Sequence, residues 1–233
     1  ITVLCGAALI AIGWFAVKWL FLDATFAGTP EDCKAGHGAC WPFLTAKLRY
    51  MAFGFYPFEE QWRPLVSLLI FLAAAVLSMV PRLWGRNLLI GWIVVILPGL
   101  YILMAGGIFG LMPVATTQWG GLPLSFMLSF VGLACALPLG ILLALSRASD
   151  LPVIRVLATS FIEIVRGVPL ISILFMATVM LPLFMPEGVT VDKLIRAQVA
   201  IIIFAAAYIA EIVRGGLQDV PKGQTEAGSA LGL

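Results

Sequence analysis

Long apolar stretches separated by short polar segments dominate the hydropathy pattern of this 233-residue chain. A helix needs about 20 mostly apolar residues to cross the ~30 Å hydrocarbon core of a bilayer. Six stretches come close to or reach this length, and the amphipathic segment 152–166 predicts a further helix at the membrane surface. The predicted spans are residues 2–22, 64–80, 88–111, 122–145, 168–183 and 197–214.

The region from Asn87 to Ser146 contains no charged residue, and it is too long for a single crossing. Its polar interruption, MPVATTQWGGLP at residues 112–123, predicts a turn between the third and fourth spans. Pro98 and Pro138 lie inside these two spans. Because proline lacks an N–H and its ring clashes with the preceding turn, we expect both helices to be kinked.

Composition agrees with a membrane protein. Of all residues, 62% are hydrophobic and only 11% are charged, and the mean hydropathy is +1.08. Soluble domains carry roughly 25% charged residues. The fold class predicted is therefore all-α, a polytopic bundle of transmembrane helices in contact with lipid. The net charge of +2 and the lack of a basic, aromatic-rich patch give no sign of nucleic-acid binding.

The longest polar segment, residues 23–63, holds nine charged residues and two cysteines. Cys33 and Cys40 flank the sequence Gly36-His37-Gly38. A cysteine pair around glycines favours a disulfide if the loop faces an oxidising compartment. Free thiols are one alternative. A metal site that uses His37 is the other, although two cysteines and one histidine at this spacing make a poor zinc set, so no metal is expected.

The five-residue string EIVRG occurs twice, and each copy places a glutamate and an arginine three positions apart. The copies contain Glu163 with Arg166 and Glu211 with Arg214, and such pairs share one helix face. One interpretation is two local ion pairs at the membrane surface. The other is a polar cavity with both signs of charge, at the inner mouth of a path through the bundle, to which Tyr208, one turn before Glu211, would add a hydroxyl group.

Sequence motifs of enzymes are missing from the chain. It has a single histidine, no GxSxG motif and no Walker A motif. The chain is therefore not expected to be an enzyme.

The last stretch, FAAAYIAEIVRGGLQDVPKGQTEAGSALGL, predicts a membrane helix that stops at Gly215-Gly216 and a second, short helix of small residues. This second part resembles the EAA loop of ABC-transporter permeases. The matching positions are Glu226, Ala227, Gly228 and Gly232, with Gly228 where the family usually has alanine. Together with the run RGVPLI, the stretch is similar to the polar amino-acid permeases, and most of all to the general L-amino-acid type.

The resemblance implies a type I ABC importer permease for L-amino acids, organised in two parts. Residues 1–111 would be a three-helix N-terminal extension. Residues 112–233 would be the permease core, which we expect to continue past Leu233, with the coupling loop at about residues 217–233. The implied partners are a nucleotide-binding subunit that holds ATP and magnesium, a second permease subunit and a periplasmic amino-acid-binding protein. No cofactor is expected in this chain itself.

The positive-inside rule orients the predicted spans once the long loop at residues 23–63 is left out. One side then carries seven basic residues, namely Arg82, Arg86, Arg147, Arg155, Arg166, Arg214 and Lys222, and the other carries three, namely Lys18, Lys193 and Arg196. This difference predicts a cytoplasmic N-terminus and coupling loop in a bacterial inner membrane.

The alternatives to an ATP-driven permease are an ion-driven secondary transporter and a structural or enzymatic membrane subunit. An ion-driven carrier needs acidic groups near the midplane, and the first five spans have none.

Overall fold

The computed structural model describes residues 2–186 and 188–232, and the regular secondary structure of these residues is helical. Within them one isolated β-bridge pairs Thr25 with Cys40. The predicted all-α class is thus confirmed. The α-helices are α1 (Thr2–Val17), α2 (Trp41–Phe53), α3 (Trp62–Ser78), α4 (Arg86–Ile90), α5 (Leu97–Ala105), α6 (Gly121–Arg147), α7 (Pro152–Gly167), α8 (Leu170–Phe175), α9 (Lys193–Gln218) and α10 (Lys222–Ala230).

Wider π-helical turns continue three of these helices. One extends α1, one joins α4 to α5, and one extends α8 into a final 3₁₀ turn. The turn between α4 and α5 ends directly before Leu97-Pro98, where proline withdraws a backbone donor. The π-helical turns are Lys18–Leu22, Gly91–Ile96 and Met176–Met180, and the 3₁₀ turn is Leu181–Phe184.

Five helices of the described residues are long and apolar enough to cross a membrane, and a bent pair makes up to six, as the sequence predicts. The bent pair is Pro152–Gly167 with Leu170–Phe184, and its two parts meet at 99°. The five helices are Thr2–Leu22, Phe58–Ser78, Arg86–Ala105, Gly121–Arg147 and Lys193–Gln218.

The predicted fifth span, residues 168–183, differs most from expectation. Its helix, Leu170–Phe184, extends only about 22 Å at 1.5 Å per residue, and it joins α7 at a sharp bend. The bend falls at Val168-Pro169, where Val168 is extended with φ −107° and ψ 133°. A proline pushes the residue before it out of the helical region, which explains the break.

Three predicted helix boundaries are wrong. The third span, predicted for residues 88–111, ends at Ala105. The polar segment 23–63 is not a plain loop, because it contains α2 and the first turns of the second span. At the other end of the chain, α9 does not stop at Gly215-Gly216 but continues to Gln218. Glycine costs a helix only about 1 kcal/mol relative to alanine, which is too little to end a long helix.

The chain forms two compact units, of which the first comprises the residues up to Met104 together with Gln118–Pro123. Within this unit, the side chain of Arg63 is fully buried. Arg63 donates hydrogen bonds to the carbonyl oxygens of Leu103 (2.7 Å) and Met104 (3.2 Å), and it lies 3.5 Å from Glu60. The arginine thereby satisfies the last carbonyl groups of α5, which have no partner within the helix.

The cysteine-containing loop of the first unit folds against the end of the first span. Cys33 and Cys40 are joined by a disulfide with their Cα atoms 5.7 Å apart. The Ala39 N–H donates to the Trp19 carbonyl (2.8 Å), and the bridge to Thr25 lies directly beside the disulfide. The loop is therefore held to its own unit by both backbone hydrogen bonds and a covalent link.

The second unit comprises Ala105–Thr117 and the chain from Leu124 onward. Its helices α6 and α9 approach closely because α6 carries small residues at every fourth position, namely Gly132, Ala136, Gly140 and Ala144. A Cβ atom at Gly140 would lie 2.6 Å from Cγ2 of Ile209 on α9. This stripe is absent from the features predicted above, although its four-residue spacing is visible in the sequence.

The predicted division of the chain at residues 111 and 112 stays a prediction about its domains. Ile1 and Leu233, at which the predicted domains begin and end, lie outside the described residues.

Candidate functional site

The charged residues of both EIVRG segments meet one further arginine in the second unit. We call Arg147, Glu163, Arg166, Glu211 and Arg214 the ion cluster. Arg147 is the last residue of α6, the first glutamate-arginine pair lies at the end of α7, and the second lies in the last third of α9. Three helix ends thus bring together charges that are up to 67 positions apart in the chain.

Glu211 is the centre of the ion cluster, because its carboxylate forms ion pairs with three arginines. Arg147 Nη1 lies 3.0 Å and Arg166 Nη1 lies 3.3 Å from Glu211 Oε2. Arg214 Nε donates to Glu211 Oε1 at 2.7 Å, and Arg214 Nη2 contacts the same oxygen. The Glu211 side chain is only 22% exposed, so these contacts are weakly screened by solvent.

Glu163 has a different environment, although its sequence context is the same. Its carboxylate lies 3.1 Å from Arg147 Nη2, and its side chain is 55% exposed. Within residues 2–186 and 188–232, no ion pair joins Glu163 to Arg166 of the same segment. The first EIVRG segment therefore forms no local pair, whereas the second forms the pair of Glu211 with Arg214.

Arg147 bridges the carboxylates of Glu163 and Glu211. It is not among the site residues predicted from the sequence. It pairs with Glu163 through Nη2 and with Glu211 through Nη1. One sequence signal could have indicated it: Arg147 is the first charge after the long uncharged stretch that ends at Ser146. A charge that directly follows such a stretch lies at the end of a span.

Next to the ion cluster, α6, α7 and α9 pack against one another through buried apolar side chains. Ala144 of α6, Ile162 of α7 and Ala210 of α9 form one buried group, with Leu143 and Val213 packed against it. α7 can cover this group because its apolar residues recur at helical spacing on one face. These small, well-packed side chains hold the charged residues of the ion cluster within ion-pair distance of one another.

Tyr208 presents its ring to the ion cluster. The guanidinium carbon of Arg166 lies 5.6 Å from the centre of the Tyr208 ring, within the range of a cation–π interaction. Phe204 also packs against Tyr208, with ring centres 4.7 Å apart. The five substrate-path residues proposed from the sequence thus lie in one neighbourhood, and the Tyr208 contact is made through its ring.

The ion cluster is partly open and carries an excess positive charge. It contains three arginines and two glutamates, which gives a net charge of +1 at neutral pH. The exposed fraction of its side chains runs from 22% to 55%. Chemically, such a group can hold a carboxylate or exchange ion-pair partners. In the part of the chain that the structure describes, no group of three histidine, cysteine or acidic residues could hold a metal ion.

The predicted coupling residues lie on and just after α10. Glu226 and Ala227 are exposed, and a Cβ atom at Gly228 would meet nothing within 4 Å. Gly232 has a φ of +77°, and its N–H donates to the Ser229 carbonyl (3.1 Å), an arrangement that ends a helix and favours glycine. The described part of α10 therefore presents a thin surface of small side chains.

Comparison with known proteins places the chain among transport components. A family model described as "Binding-protein-dependent transport system inner membrane component" matches residues 136–233. The "Inner membrane amino-acid ABC transporter permease protein YhdY" of Escherichia coli is 48% identical over 224 residues, which cover 93% of this chain and 59% of that protein. The chain therefore spans less than two thirds of this relative's length.

A second relative is matched over the whole chain. The "Glutamate/glutamine/aspartate/asparagine transport system permease protein BztC" of Rhodobacter capsulatus is 32% identical over 300 aligned positions, which cover 100% of this chain and 69% of that protein. A solved structure described as an amino acid ABC transporter with histidines shares 34% identity over 48% of this chain and 51% of its own, with a TM-score of 0.44.

Proposed function

This chain belongs to the family of amino-acid ABC transporter permeases, and from that membership we propose that it is the membrane-spanning subunit of an ATP-driven importer of L-amino acids. It is an integral protein of the inner membrane, with apolar helices of crossing length. The relative from Rhodobacter capsulatus is named as a transport component for glutamate, glutamine, aspartate and asparagine, which supports polar amino acids as the substrate class.

The observation that carries the coupling proposal is the exposed, small-residue helix α10 directly after the membrane helix α9. Because the chain has no Walker A motif, a separate nucleotide-binding subunit must hold ATP and magnesium. A helix with small side chains enters a groove without steric obstruction, so Glu226, Ala227, Gly228 and Gly232 would form the docking surface. A second permease subunit would complete the pore.

In the proposed orientation the N-terminus and α10 face the cytoplasm. The basic residues at the ends of α6, α7 and α9 support this orientation, because basic residues are enriched on the cytoplasmic side. The loop closed by Cys33 and Cys40 would then lie outside, in an oxidising compartment, where it is placed to contact a periplasmic amino-acid-binding protein.

The ion cluster would lie at the cytoplasmic mouth of the substrate path. Its charges of both signs, at the ends of three helices, suit a zwitterionic amino acid, whose carboxylate and ammonium groups each need a partner. Glu211 is the residue that we propose to control this mouth, because three arginines depend on it.

The test is copurification of the full-length permease with its nucleotide-binding subunit. Gly232→Arg and Glu226→Lys should each abolish copurification. The first would place a large side chain on the docking surface, and the second would reverse a charge there. Glu59→Lys, the same change at an exposed position of the first unit, is the matched control and should retain the partner. Retention of the nucleotide-binding subunit by both α10 variants would overturn the coupling proposal.

The substrate class is tested on the purified, reconstituted complex with each of the common amino acids. Polar L-amino acids should stimulate its ATPase activity when the binding protein is present. An ion-driven carrier would instead take up amino acids without ATP and respond to a collapsed ion gradient. That outcome would reject the importer proposal.

A further inference from the structure

An apolar groove of about 500 Å³ lies along the first three turns of α9 in the second unit. Its walls come from α9 and from the short helical segment that begins with α8. Among the described residues that line the groove, Arg196 is the one with a charged or polar side chain. Apolar walls are formed by residues such as Ile173, Met180, Phe184, Val199 and Ile203.

Arg196 is held at one end of this groove by a pair of backbone carbonyl groups. Its Nη1 donates to the Thr178 carbonyl at 2.7 Å and to the Ala177 carbonyl at 3.5 Å. In a regular α-helix the Thr178 carbonyl would accept from residue 182, which is Pro182 and has no N–H. The arginine therefore replaces the donor that the proline removes, and this fixes its position.

The charge of Arg196 is not neutralised by the two carbonyl groups. Among residues 2–186 and 188–232, no carboxylate lies within ion-pair distance of Arg196, and its buried Nε has no hydrogen-bond partner. A half-buried cation beside an apolar groove is costly in a membrane unless an anion accompanies it. The site therefore calls for a ligand with a negative charge at one end.

The order of residues along α9 sets the direction of the groove. Arg196 is in the first turn of the helix, and the groove residues Val199, Ala200 and Ile203 follow at helical spacing, down to about 10 Å deeper. The end of a membrane span lies at the level of the lipid headgroups. The cation is thus at headgroup depth, and the apolar groove extends from it into the hydrocarbon core.

We propose that this groove binds an anionic phospholipid, with its phosphate at Arg196 and one acyl chain along α9. An amino-acid substrate fits the groove less well, because its ammonium group would find no acidic side chain among the groove residues that the structure describes, and only carbonyl groups that Arg196 already occupies. A basic residue near the membrane surface attracts anionic headgroups. The proposal needs only a membrane-spanning chain and is independent of the transport direction and of ATP coupling.

The experiment measures lipid retention by the full-length permease complex in nanodiscs of defined composition. Phosphatidylglycerol and phosphatidylcholine are the two probes, and bound lipid is counted by native mass spectrometry after extraction. The wild type should retain phosphatidylglycerol in preference to phosphatidylcholine. Arg196→Gln should lower phosphatidylglycerol retention about fivefold, the effect expected for one basic residue near the membrane surface.

Three further variants separate charge, position and shape. Lys193→Gln removes the same charge from an exposed residue outside the groove and should leave retention unchanged. Arg196→Lys keeps the charge and should retain phosphatidylglycerol, which also controls for folding. Val199→Trp fills the groove beside the intact arginine and should reduce the retention of both lipids.

Equal retention of the two lipids by the wild type would overturn the proposal. Equal loss in Lys193→Gln and Arg196→Gln would do the same, because the effect would then be one of general surface charge. Displacement of the bound phosphatidylglycerol by a saturating polar amino acid would instead identify the groove as a substrate site.

Discussion

The two EIVRG segments have the same five residues and the same helical spacing, yet they form different ion pairs. Glu211 binds the arginine of its own segment, while Glu163 binds Arg147 of another helix. Arg166 pairs with Glu211 and not with the glutamate of its own segment. A glutamate and an arginine three positions apart are able to pair, but neighbouring helices determine whether they do.

The environment of each carboxylate explains the difference. Glu211 is on α9, which packs against both α6 and α7, so three guanidinium groups can reach a side chain that is 22% exposed. Glu163 is on the outer part of α7, and its side chain is 55% exposed. Attraction between charges is several times stronger where solvent is largely excluded, so Arg166 gains more from Glu211.

Separating α6 from α9 should have the largest effect, because it breaks every contact between Arg147 and Glu211. Gly140→Val places side-chain atoms against Ile209 and the Ala206 carbonyl. Overpacking of this kind costs about 1–3 kcal/mol, and amino-acid uptake by proteoliposomes should fall below a tenth of the wild-type rate. Gly99→Val is the matched control, since nothing lies within 4 Å of a Cβ atom there. Equal loss in both variants would show that the effect is a general one of valine in a membrane helix.

Glu211→Gln should have the next largest effect, because it leaves three arginines facing one another without their shared carboxylate. We expect a loss of about 2 kcal/mol of stability, below the value for fully buried pairs since the site is partly exposed. A fluorescence-based thermal shift of the purified complex should show a decrease of several degrees, and uptake should fall at least fivefold. Unchanged uptake at normal protein level would exclude a transport role for this carboxylate.

Arg147→Gln should have an intermediate effect that sharpens the comparison. Glu211 keeps two arginines in this variant, whereas Glu163 loses its ion-pair partner. A double-mutant cycle should give a coupling of about 1–2 kcal/mol between Arg147 and Glu211 and no more than about 0.5 kcal/mol between Arg147 and Glu163. Equal couplings would contradict the difference in environment described above.

Glu163→Gln should have the smallest effect of the four. An exposed ion pair contributes about 0–1 kcal/mol, so the melting temperature and the uptake rate should stay close to those of the wild type. The measurement is the same pair of assays, with Glu211→Gln alongside. If Glu163→Gln were as damaging as Glu211→Gln, then Glu163 would have a role in transport that its ion pairs do not reveal.

Much of the fold could be predicted because hydropathy is a local property of the chain. A run of about 20 apolar residues needs a bilayer whatever the rest of the protein does, so the spans could be read from the sequence. Five of the six are confirmed with ends no more than six residues from those predicted, and the fifth forms part of a bent pair. The errors came from weak local signals. Gly215-Gly216 does not end α9, and the polar segment 23–63 contains a helix and, at its end, the buried Arg63.

The candidate site was only partly predictable, because its contacts join distant parts of the chain. The sequence determined the membrane class, the helical architecture and the family, since each depends on composition or on contiguous motifs. Tertiary structure alone decided that Arg147 meets Glu211, 64 positions away, and that Arg196 replaces the donor missing at Pro182. Ion-pair energy depends on the distance between side chains and on solvent exclusion, and both arise only when the helices pack.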